Sequence, residues 1–135
     1  MSGFKELDHT ADAAVQVWGA TLPMLFQQAL LAFYAIAGAR EIIDADTTSE
    51  IMDLHLRETD LEALLIAFLT EVLYSLSDGI LFTPQKISIQ GNTLDAKLIG
   101  KKGITMQREI KAVTYHHLQI ELHDGIYKTE IVFDI

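Results

Sequence analysis

The sequence predicts an α+β fold: a mixed or antiparallel sheet with two long amphipathic helices packed on it. Three observations point there. Two stretches carry apolar residues at helical spacing, several shorter ones alternate at strand spacing, and the chain reads in the order strand, helix, strand, helix, strands. In the first helix Leu22, Leu25, Phe26, Ala29, Leu30 and Phe33 share one face. Thr21 is its expected N-cap, Pro23 suits the first turn, and Gly38 supplies the stop. In the second, Leu61, Leu64, Leu65, Phe68, Leu69, Val72, Leu73 and Leu76 form a five-turn stripe. Thr59-Asp60-Leu61-Glu62 reads as a capping box before it, and Gly79 lies just past its end. Both stripes are read as core.

The strands are expected around these helices. Val15 and Val17 mark an early one. Met52, Leu54 and Leu56 alternate with Asp53, His55 and Arg57, which gives one wet face. Ile87 to Gln90 and Thr93 to Ile99 flank Gly91-Asn92, a two-residue hairpin signal. Ile110 to His123 is expected to run as one strand into an Asp124-Gly125 turn, with Ile126 to Ile135 returning. In that register facing residues sum to 249, so Leu118 faces Ile131, Ile120 faces Thr129, Leu122 faces Tyr127 and Glu121 faces Lys128. The same arithmetic sets His116 beside Phe133 and Tyr115 opposite Asp134.

Composition narrows the function. The 135 residues suit one domain, 1–135, and a hydrophobic share of 50% demands a packed core. Nineteen acids against ten bases leave a net charge of -9, the wrong field for a protein that grips phosphate backbones by itself. Direct nucleic-acid binding and a membrane span are therefore not expected. There are no cysteines, so thiolate ligands, disulfides and a Cys nucleophile are excluded. With no leader-like start and no apolar run of bilayer length, a soluble cytoplasmic protein is expected.

Few residues offer chemistry. His116 and His117 would point to opposite faces of a strand, so they do not form a metal pair; His116 is expected half-buried in the register of Leu118. His117 shares its expected face with Lys111, Tyr115 and Gln119. Gly100-Lys101-Lys102-Gly103 lacks the strand–loop–helix setting of a phosphate loop and reads as a basic turn. Lys111 stands in a mostly apolar strand, where snorkelling to solvent competes with a phosphate or carboxylate contact. Leu7-Asp8-His9-Thr10-Ala11-Asp12 gathers carboxylates, an imidazole and a hydroxyl before the first apolar strand. This is a turn with N-cap chemistry or a set of oxygen ligands of the kind Ca²⁺ and Mg²⁺ prefer. Asp134 and the main-chain oxygens of Ile135 offer similar ligands at the other end of the sequence.

Read together, three blocks resemble the archease family. They are Leu7-Asp8-His9-Thr10-Ala11-Asp12 with Trp18-Gly19 and Thr21-Leu22, then Ile110-Lys111-Ala112-Val113-Thr114-Tyr115-His116, then Val132-Phe133-Asp134-Ile135. One departure is Ala13-Ala14 after Asp12, where the family usually carries Val or Ile. The resemblance implies a non-enzymatic helper of the RNA-splicing ligase of the RtcB type, promoting its guanylylation and repeated turnover in tRNA splicing or RNA repair. GTP and Mn²⁺ would enter through the ligase. It also implies a divalent cation, Ca²⁺ above Mg²⁺ or Mn²⁺, held by Asp12, Asp134 and Ile135. Lys111 would serve partner activation, with His9, Tyr115 and His117 as supporting residues. The alternatives are a metal-dependent phosphoesterase using His9, Asp12 and Asp134, or a metal-stabilised interaction module for another RNA-processing enzyme.

Overall fold

A computed structural model describes residues 1–7, 12–42 and 49–135. Its elements in order are β1 (Ser2–Leu7), β2 (Ala13–Gly19), α1 (Leu22–Ala37), β3 (Arg40–Glu41), β4 (Ser49–Arg57) and α2 (Leu61–Ser77). There follow β5 (Leu81–Gln90), β6 (Thr93–Lys101), β7 (Ile104–Thr105), β8 (Ala112–Thr114), β9 (Glu121–His123) and β10 (Ile126–Asp134). Among the described residues every strand pairing is antiparallel, and the strands form three sheets rather than one. The largest has five strands in the order β1-β2-β10-β8, with β9 also on β10. A second sheet is ordered β4-β6-β5, and β3 and β7 make a short two-stranded ribbon.

The helices lie between the two larger sheets. Helix α1 contacts β1, β2 and β10 of the first and β5 of the second, while α2 contacts β8 of the first and β4 and β5 of the second. This double cover explains why neither helix shows the broad polar face expected of an amphipathic helix on a single sheet. In α1 the exposed stripe is one residue wide, at Gln27, Leu31 and Ala35. The core runs through all three layers. Val15, Val17, Ile131 and Phe133 come from the five-stranded sheet, and Leu94, Ala96 and Leu98 from the other. Phe33 meets Phe133 and Phe26 meets Phe68, each with ring centroids 5.8 Å apart, a spacing at which tilted rings attract.

Local chemistry sets the helix ends. Thr21 Oγ1 accepts from the Met24 amide at 3.2 Å, and Gly38 closes α1 in the left-handed conformation at φ 61°. Gly19, just before α1, has no room for a side chain: a Cβ there would stand 2.7 Å from the Leu25 nitrogen. The cap of α2 differs from expectation. Asp60, not Thr59, is the N-cap, accepting from the Ala63 amide at 2.7 Å. Glu62 does not turn back to close a capping box. Its Oε2 instead accepts from the Ile120 amide at 2.8 Å.

That contact accompanies the main correction to the expected strands. The Gly91-Asn92 hairpin forms with Gln90 paired to Thr93, and β4 alternates as expected. At Asp124-Gly125 the expected register holds for Leu122 with Tyr127 and Glu121 with Lys128. Beyond that point the strand leaves β10. When pairing resumes, Ala112 faces Asp134, Val113 faces Phe133 and Thr114 faces Val132, so facing residues sum to 246. The expected pairings of Leu118, Ile120, Tyr115 and His116 with β10 are therefore not formed. Residues 115–120 make a turn closed by the Leu118 amide on the Tyr115 carbonyl at 3.0 Å, with His117 at φ 57°. His116 is exposed rather than half-buried, and its ring stacks on that of His117 with centroids 4.0 Å apart. Neighbours on a strand could not meet this way. In the expected basic turn, Lys101 and Lys102 pair with Glu41 and Glu50 at 3.3 and 2.9 Å. No helix among the described residues is long and apolar enough to cross a membrane.

Candidate functional site

The register between β2 and β10 brings the first and last blocks of the sequence together. Ala13 pairs with Phe133, so Asp12, just before β2, and Asp134, the last residue of β10, are the next residues outward. Side chains alternate across a strand. Ala13 and Phe133 are buried in the core, which sets Asp134 on the opposite, outer face of the sheet. Ile135 packs against the core beyond Phe133 and anchors the segment that carries Asp134. An aspartate between two apolar residues is what this geometry needs: the neighbours hold the strand down while the carboxylate faces outward.

The outer face beside these carboxylates is not fully wet. Ala14 and Val132 pair across β2 and β10 and are 0% and 2% exposed, yet both lie outside the main core. They share the face of Asp134. A small residue at 14 thus still contributes to a buried apolar patch next to the acids.

On the other side of Asp134 lies β8. Ala112 faces Asp134, and the Lys111 amide donates to the Asp134 carbonyl at 2.7 Å. Lys111 is exposed and precedes β8 instead of lying within a strand. Thr114 ties the same strand down, its Oγ1 donating to the Val132 carbonyl at 3.0 Å.

Of the sequence-predicted site residues, Asp12, Asp134, Ile135 and Lys111 lie near the same end of the sheet, joined there by the Lys111 amide on the Asp134 carbonyl. Tyr115 is 60% exposed and follows β8 into the turn. His117 lines a separate shallow groove of about 240 Å³ with Gln119, Glu121, His123, Lys128 and Glu130, toward the opposite end of β10. His9 lies outside the described residues. Sequence reasoning missed Ala112 as the residue facing Asp134, and Glu62 as the anchor of the turn. Neither carries a sequence signal, because both depend on where the strand leaves the sheet.

The donor set decides what the arrangement can hold. Among the described residues no three His, Cys, Asp or Glu side chains converge on one point. Two aspartates supply carboxylate oxygens, and further donors would be main-chain oxygens such as those of Ile135. An all-oxygen set fits a hard cation of the calcium or magnesium kind better than zinc. A divalent cation shared by two carboxylates would offset their mutual repulsion.

Residues 4–135 match the model of the archease protein family (MTH1598/TM1083). The chain belongs to the archease family. It is 34% identical to the protein archease of Methanosarcina barkeri, covering 98% of this chain and 95% of that one. It is also 34% identical to the protein archease of Sulfolobus acidocaldarius, with full coverage of both. Among solved structures it resembles an archease, described as a possible chaperone, from Thermotoga maritima. The TM-score is 0.65 at 26% identity, over 97% of this chain and 96% of that one. Protein 1598 of Methanobacterium thermoautotrophicum shares the fold with a TM-score of 0.70, over 98% and 99% of the two chains.

Proposed function

We propose that this archease is a non-enzymatic, cytoplasmic activator of an RtcB-type RNA-splicing ligase, promoting ligase guanylylation and repeated turnover in tRNA splicing or RNA repair. The observation that carries the reading is the β2–β10 register, which sets Asp12 beside Asp134 next to the Lys111 backbone. In this reading Asp12, Asp134 and the main-chain oxygens of Ile135 hold a divalent cation, with calcium preferred. That cation would supply positive charge for phosphate or carboxylate oxygens of the ligase–GTP complex. Ile135 and Phe133 hold the donors in place through the core, and the Lys111 ammonium adds a second cation at the same end of the sheet. A net charge of -9 suits docking on a partner basic enough to hold RNA.

The test is guanylylation and multiple-turnover joining by the ligase with and without this protein. Asp134→Ala and Lys111→Ala are each expected to bring stimulation down to the level of ligase alone. Circular dichroism should show the wild-type fold, since both residues are exposed. Full stimulation by a folded Asp134→Ala variant overturns the reading. So does a calcium-dependent rise in thermal stability of the wild type that leaves guanylylation unchanged.

A further inference from the structure

The outer face of the β4-β6-β5 sheet carries polar chemistry that the metal-centred reading does not use. Among the described residues no helix covers this face, and Ile51 on it is 66% exposed. Its residues fall into rows across the three strands. One row is Asp53, Lys97 and Lys86; the next is His55, Asp95 and Ser88. These six side chains line an open groove of about 400 Å³.

The lysines are the unusual feature. Lys86 and Lys97 are direct cross-strand partners, an arrangement of like charges that weakens a sheet. The pairing comes from a bulge: Pro84 faces Leu98, but the next partner of β6, Lys97, is met by Lys86. The extra residue, Gln85, shifts Lys86 into the outward-facing row. Bulges re-aim side chains in this way and are common beside functional sites. Among the described residues neither lysine is in an ion pair, whereas Lys101 and Lys102 both are. Asp95 is already engaged by His55 Nδ1 at 2.6 Å, which leaves Asp53 as the one uncommitted acid of the two rows. On a chain with nineteen acids and a net charge of -9, two adjacent lysines outside any ion pair stand out, even with Asp53 across the ladder from Lys97.

We propose that this groove is a binding site for phosphoryl groups. Side chains directly opposite across a ladder have Cβ atoms about 5 Å apart, so both ammonium groups can reach one phosphate. Lysine serves phosphate as a compact point charge with three donors. Ser88, one row on, adds a hydroxyl donor to a neighbouring phosphate oxygen, and His55 adds an imidazole edge. A dianionic phosphoryl group fits better than a carboxylate, because two lysines outweigh the single free acid. The inference stands apart from the proposed metal centre, which lies on the other large sheet.

The experiment is a titration of the isotopically labelled protein, followed by amide NMR, with inorganic pyrophosphate and in parallel with ADP. Because the groove is open, affinity on the order of 1 mM is expected. Shifts should centre on Lys86, Ser88, Lys97 and His55. Lys86→Gln combined with Lys97→Gln should weaken binding at least tenfold, whereas Lys101→Gln combined with Lys102→Gln should leave it unchanged. Tighter binding of ADP than of pyrophosphate assigns the groove to nucleotides; equal binding assigns it to the phosphate chain alone. Shifts centred on Lys101 and Lys102, or equal binding by the Lys86/Lys97 double variant, overturn the proposal.

Discussion

The two large sheets follow different rules. The β4-β6-β5 sheet is a continuous ladder, with nine consecutive pairs between β4 and β6 and one bulge between β5 and β6. The five-stranded sheet has a centre, β10, that is paired along its length with β2 but only at its two ends on the other side. The regular sheet repeats a two-residue pattern, so local sequence determines it. The interrupted one depends on a tertiary contact, the carboxylate of Glu62 on the Ile120 amide. The candidate metal ligands belong to the interrupted sheet, where the change of register aligns Ala112, instead of Tyr115, with Asp134.

The largest expected effect comes from the regular sheet, at its edge. Among the described residues strand β5 has no partner beyond it, and an open edge leaves backbone groups unpaired. Tyr34 on α1 fills that role: its hydroxyl donates to the Phe82 carbonyl at 2.5 Å and accepts from the Phe82 amide at 3.1 Å. Tyr34→Phe leaves both groups buried without a partner, at an expected cost of about 3 kcal/mol. Burial also pushes the Tyr34 hydroxyl well above its ordinary value of 10.0, an effect the Phe82 hydrogen bond partly opposes. The folded state therefore keeps a proton that the unfolded chain loses from about pH 10 upward. This contribution to stability is fully present below pH 10 and declines as pH rises beyond it. Urea unfolding at pH 8 and pH 11 should show the decline in the wild type and a smaller one in Tyr34→Phe.

A smaller effect is expected where the other sheet breaks. Glu62→Ala removes the acceptor of the Ile120 amide, at about 1 kcal/mol for a half-buried contact. Hydrogen exchange at Ile120 and Leu118 should accelerate, while exchange at Leu122, within the Asp124-Gly125 hairpin, should not. Unchanged protection at Ile120 would mean that the turn, and not Glu62, holds the strand away from β10.

How much of this was legible follows the same division. Thr21, Gly38, the stripe of α2 and the Gly91-Asn92 hairpin were readable because each depends on residues within a few positions of itself. Glu121 with Lys128 was readable for the same reason, as a hairpin register set by its own turn. The helices' double cover was not, because an apolar stripe records one buried face and not what lies behind it. The pairing of Ala112 with Asp134 was not either, since a hydrogen bond from Ile120 to α2 leaves no mark on the periodicity of residues 110–123. Asp12, Asp134 and Ile135 were nameable from the family resemblance. Their adjacency is a property of the β2–β10 register, which neither strand's own pattern specifies.

The smallest expected effect tests the break most directly. Thr129 faces the core opposite Val17, is 4% exposed, and its Oγ1 has no hydrogen-bond partner among the described residues. It directly follows Lys128, the last residue of β10 that β9 pairs. In the uninterrupted register it would have faced Ile120, whose amide instead turns to Glu62. A buried hydroxyl without a partner is unfavourable, and valine has nearly the same shape without that cost. Thr129→Val should therefore leave stability unchanged or raise it by about 1 kcal/mol in denaturant unfolding. A loss of stability would mean that Oγ1 is satisfied in solution by a water molecule in the gap beside β10. The break would then be a hydrated part of the sheet, and the Glu62 contact only one of the bonds that hold it open.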